Sequence, residues 1–65
     1  MANEFWTATL RDLDAAVIAL GKAGYELDYE LGDEDELVAE VAGLQRAVRL
    51  FRRKCQGRMT AAEVA

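Results

Sequence analysis

Apolar positions along the chain fall into two stripes. Trp6, Leu10, Leu13, Val17 and Leu20 step by four, three, four and three, the spacing that puts side chains on one seam of an amphipathic helix. Asn3 offers an N-cap, Glu4 sits in the first turn and Gly24 fits the position just past the last turn, so helix 1 is predicted over about residues 4–23. Gly21 weakens that helix by about 1 kcal/mol relative to alanine. Leu37, Val41, Leu44, Val48, Phe51 and Cys55 repeat the pattern. Asp33 with Glu36 three residues on reads as a capping box, and Asp33, Glu34 and Asp35 all lie where the helix dipole favours negative charge. Arg52, Arg53 and Lys54 followed by Gly57 suit the opposite end, which predicts helix 2 over about residues 34–56. At 1.5 Å per residue the two span about 30 and about 35 Å. Two helices of matched length predict an all-α fold, an antiparallel two-helix hairpin in a single domain over residues 1–65.

The connection, residues 24–33, is less plain. Tyr25, Leu27, Tyr29 and Leu31 alternate with Glu26, Asp28 and Glu30, a period of two that suits an extended segment with one acidic face. Ten residues is long for a helix-to-helix connection, and one strand cannot satisfy its own backbone. Three readings stand: a loop whose Tyr and Leu side chains cover the end of the bundle, a strand that pairs with its copy in a dimer, or a continuation of helix 1 through Leu27 and Leu31. In the tail, residues 57–65, Thr60 and Glu63 form another capping-box pattern. That run resembles the opening of the first helix of many helix-turn-helix motifs over six residues, and a frayed tail or a short capping turn is expected there.

Composition narrows the chemistry. The 65 residues include no histidine, no proline, no serine and one cysteine. Ser-His and Cys-His nucleophile pairs are therefore absent, and one Cys without His cannot make a zinc site. No enzyme activity, cofactor or metal is expected. The acids do not form the register of a twelve-residue calcium loop from Asp28 or Asp33. The longest uncharged run, residues 15–21, is seven residues against the 18 or more that spanning requires. With no signal-like N-terminus, a cytoplasmic protein without a membrane partner is expected.

The formal charge of -4 conceals a split: residues 1–45 hold eleven acids and two bases, residues 46–65 six bases and one acid. Arg46, Arg49 and Arg53 fall within about 60° of one another on a helical wheel, opposite Leu44 and Val48. Arginines in such a stripe either form a solvated face or grip carboxylates and phosphates with two prongs. Tyr25 and Tyr29, set among acids, are the other candidates for partner contact, because Tyr is enriched where binding energy concentrates. Phe51 is expected in the core by its spacing, and Trp6 in the core or as the plug of the bundle's end. Cys55, at the last seam position, reads as a small buried apolar side chain, a disulfide partner across a dimer axis, or a reactive thiol.

A domain of this size is marginal without a disulfide, a metal or a second chain. A two-helix layer also has no true interior, and Ile18, Val38 and Leu50 lie off the stripes. A homodimer forming a four-helix bundle is expected, its core built from Trp6, Leu10, Leu13, Val17, Leu20, Leu37, Val41, Leu44, Val48 and Phe51.

In size, acidity and heptad pattern, residues 4–56 resemble the plasmid-encoded Rop family, helical hairpins that dimerise into four-helix bundles and bind paired RNA loops. The chain also resembles small phage-encoded proteins that bind and disable a host protein. The second resemblance implies a non-enzymatic interaction module that inhibits or modulates a host partner, such as a transcriptional regulator or an enzyme. The first implies RNA binding through Arg46, Arg49 and Arg53 as the alternative.

Overall fold

The computed structural model describes residues 2–64, and the side chains of residues 4–64. It contains two helices, α1 (Ala2–Leu31) and α2 (Glu36–Val64), folded back on each other as an antiparallel hairpin. Both run longer than the sequence predicts, and the link between them shrinks to residues 32–35.

The connection resolves into the third of its three readings: α1 continues through Tyr25–Leu31. The physical reason lies in the seam. Carrying its four-three steps past Leu20 lands on Gly24 and Leu27, and only a helix keeps Leu27 on the stripe while satisfying its own backbone. Gly24 is therefore not the terminator. It lies inside α1 where the helices approach closely, and a Cβ there would stand 2.8 Å from Val41 Cγ1. The terminator is Gly32, with φ +91°. Its N–H donates to the Asp28 carbonyl at 2.8 Å, the single bond of a left-handed helix cap.

The start of α2 is likewise displaced by two residues. Asp35, not Asp33, is the cap: its Oδ1 accepts from the Leu37 N–H at 2.9 Å, satisfying one of the orphan donors of the first turn. Asp33 and Glu34 occupy the turn itself. At the other end α2 passes through Gly57 to Val64, so Arg52, Arg53 and Lys54 lie inside the helix rather than in its last turns. Residues 57–64 are helical, and the Thr60 hydroxyl donates to the Gln56 carbonyl at 3.0 Å instead of capping a new helix. Good helix formers surround Gly57, and Met59 extends the buried side of α2 by one more turn. Asn3 lies within α1, and its capping role falls outside the described side chains.

The shape is a slab, with extents of 48 × 15 × 8 Å and a radius of gyration of 15.0 Å. A compact chain of this length would have about 11 Å. Among the described residues, only Leu10 and Cys55 are buried hydrophobic residues. The hairpin is one layer of helices with two broad faces, and the functional reading turns on how those faces differ.

Candidate functional site

On α1, Leu10 is buried and Trp6, Leu13, Val17 and Leu20 are half-buried. On α2 the inward row is Val38, Val41, Gln45, Val48, Arg52, Cys55 and Met59. That row is rotated from the apolar stripe, so Val41, Val48 and Cys55 face α1 while Leu37, Leu44 and Phe51 do not. Leu37, Leu44 and Phe51 stay 47%, 55% and 54% exposed, and Phe51 is not part of a core within one chain.

Polar contacts explain the rotation. Gln45 Nε2 donates to the Val17 carbonyl at 2.9 Å, in space that a side chain at Gly21 would take, since a Cβ there would lie 2.9 Å from the same nitrogen. Arg52 Nε donates to Asp14 Oδ1 at 2.6 Å. These contacts lie along one side of the helix–helix seam. On the other side Trp6 of α1 and Phe51, Cys55, Lys54 and Arg58 of α2 line a common shallow depression.

With 100° per residue, these anchors sort the remaining positions onto two faces. One face is apolar. It joins Leu37, Leu44 and Phe51 of α2 to the outer edges of Leu13, Leu20 and Leu27 of α1, with Trp6 and Phe5 at the open end, their rings 5.1 Å apart edge to face. None of the described residues covers it. The opposite face carries the Asp14–Arg52 pair and Gln45. The hairpin exposes 5122 Å², whereas a folded monomer of this mass exposes about 4,100 Å². The excess of about 1,000 Å² compares with the roughly 800 Å² that each partner contributes to a standard stable interface.

Tyr25 and Tyr29 do not sit in a loop. They stand one turn apart on the outer side of α1 near the hairpin tip, 75% and 81% exposed, and with Glu26 and Glu30 they line a second shallow depression. Ile18, also exposed, continues their row one heptad back. The tip is intensely acidic: Glu26, Asp28, Glu30, Asp33, Glu34, Asp35, Glu36 and Glu40 are eight acids in fifteen residues with no base among them. Asp33–Glu36 complement the start of α2, but Glu26, Asp28 and Glu30 crowd the C-terminal end of α1, which has no basic residue in its last turn. Negative charge there opposes the helix dipole.

Arg46, Arg49 and Arg53 are exposed and lie along the outer edge of α2, on the side away from the apolar face. They lie on α2, whereas the tyrosines lie on α1. Cys55 is a buried free thiol, matching the reading as a small apolar side chain. Among the described residues no group of three or more His, Cys, Asp or Glu side chains is placed to hold a metal ion, and no helix is long and apolar enough to cross a membrane. What sequence reasoning missed is that the apolar stripe of α2 and its contact with α1 are different rows: the signal was the presence of Gln45 and Arg52 at heptad spacing beside the stripe.

Comparison of the chain with protein-family models, with curated proteins and with solved structures finds no match.

Proposed function

We propose that the chain is a small non-enzymatic interaction module that works as a homodimer, a four-helix bundle, and inhibits or modulates a host partner protein with a basic surface. The observation that carries the reading is the apolar face running the length of the hairpin, with an exposed area in excess by about the amount a stable interface removes. Closing that face against a copy leaves the opposite surfaces, with Tyr25, Tyr29 and the acidic tip, turned outward. Aromatic side chains set in acid suit a basic protein surface: the acids steer the encounter, and the tyrosines supply contact area at low entropic cost.

Capture from host lysate tests the partner site. Wild-type protein and the Arg46→Ala/Arg49→Ala/Arg53→Ala variant should retain the same partner, while Tyr25→Ala/Tyr29→Ala should lose it. Retention by the tyrosine variant removes the tip from the site.

A second reading rests on a separate observation. The ion pair across the helices engages Arg52 and leaves Arg46, Arg49 and Arg53 exposed in one row, a spacing that suits phosphates. Such RNA binding would weaken steeply with salt and disappear in the triple-alanine variant. Binding that survives in that variant contradicts this second reading.

A further inference from the structure

The charge distribution also sets how the two copies lie in the dimer proposed above. Two slabs packed apolar face to apolar face have two twofold arrangements. In one, both hairpin tips lie at the same end and α1 packs on the partner's α2. In the other, the tips lie at opposite ends, and each helix packs antiparallel on its own copy.

The first arrangement brings two tips of eight acids each to the spacing of packed helices, about 10 Å. That is a little more than one Debye length at physiological ionic strength, about 8 Å, so each pair is cut to about a third, and the repulsion that remains comes from the number of acids facing one another, eight on each tip. No base lies within residues 26–40 to offset it. The second arrangement separates the tips by roughly the 48 Å length of the hairpin, several Debye lengths. It sets each tip beside an open end of mixed sign, which carries Glu4 of α1 and Arg58 and Glu63 of α2. The apolar stripe does not choose between the two, because Leu37, Leu44 and Phe51 recur every seven residues and can meet a like stripe in either direction.

We infer that the dimer is built with its tips at opposite ends, and that it therefore presents two Tyr25–Tyr29 surfaces facing away from each other at the ends of one rod. A bundle so built bridges two copies of a basic partner rather than clamping one. The inference rests on the dimer reading, and a distance measurement separates the two.

Spin labels on Asp33→Cys in a Cys55→Ala background report the tip-to-tip distance by pulsed dipolar spectroscopy, with sedimentation run on the same sample. The expected result is a dimer with a label separation near the 48 Å hairpin length. A dimer with labels within about 20 Å, two helix spacings, overturns the orientation and leaves the dimer standing. A monomer with no dipolar coupling overturns both. Glu63→Cys in the same background labels the open end and is expected to give a similarly long separation, which keeps the test decisive if the tip variant folds poorly. Circular dichroism on each labelled protein checks that the helices are intact.

Discussion

Gly32 turns the chain with φ +91°, a backbone region that costs a residue with a Cβ about 1–2 kcal/mol. Gly32→Ala is expected to lower stability by about that much, and Asp35→Ala by about 1 kcal/mol through loss of the cap on the Leu37 N–H. Urea unfolding at one fixed protein concentration reads both, since the stability of a dimer depends on concentration. An unchanged midpoint in Asp35→Ala would mean that a neighbouring acid takes over the cap. That possibility is also why the capping residue was hard to read from sequence. Residues 33–36 are all acidic, each with an oxygen to offer, and the choice among them depends on where α1 ends. Gly24 satisfied the rule for a helix end as well as Gly32 does. Its actual use, letting Val41 approach, depends on the other helix and leaves no local mark.

For the elements, the α1 register was legible because the seam positions from Trp6 to Leu20 are all apolar and are the ones turned toward α2. On α2 the apolar stripe and the intrachain contact are different rows. Periodicity counts apolar residues, whereas the contact includes Gln45 and Arg52, which find the Val17 carbonyl and the Asp14 carboxylate only after the helices meet. The Asp14–Arg52 pair is half exposed, and as a surface ion pair it contributes no more than about 1 kcal/mol; its larger effect is on register. The period-two alternation of residues 25–31 misleads in another way. Tyr25 and Tyr29, and Leu27 and Leu31, are also four apart, so the same residues fit a helix. Continuing α1 places Glu30 in a last turn with no basic residue. Glu30→Gln is therefore expected to stabilise the hairpin by a few tenths of a kcal/mol while weakening partner capture. A thermal scan and the lysate experiment read the two effects. Loss of stability in Glu30→Gln would show that the acid is held by the fold.

The whole molecule is a slab with one apolar face, and the hairpin was foreseen where the sidedness of that slab was not. Dimerisation was expected because 65 residues make a small core, because a two-helix layer has no interior, and because Ile18, Val38 and Leu50 lie off the stripes. The structure adds where such a contact would lie: along Leu37, Leu44 and Phe51 beside the open edge of the α1 seam, with the tyrosines and the arginine row on other surfaces. Leu44→Ala and Phe51→Ala are each expected to weaken self-association by about tenfold, as loss of a little over 1 kcal/mol of covered side chain implies. Ile18→Ala and Leu50→Ala, on the outer sides of their helices, are expected to leave it unchanged. Equal effects at all four positions would point to non-specific aggregation. Sedimentation equilibrium at low micromolar concentration, with helical circular dichroism on the same sample, tests the closed apolar face most directly. The expected species has twice the 7.2 kDa chain mass and loses helix as dilution dissociates it. A fully helical species at 7.2 kDa would contradict it.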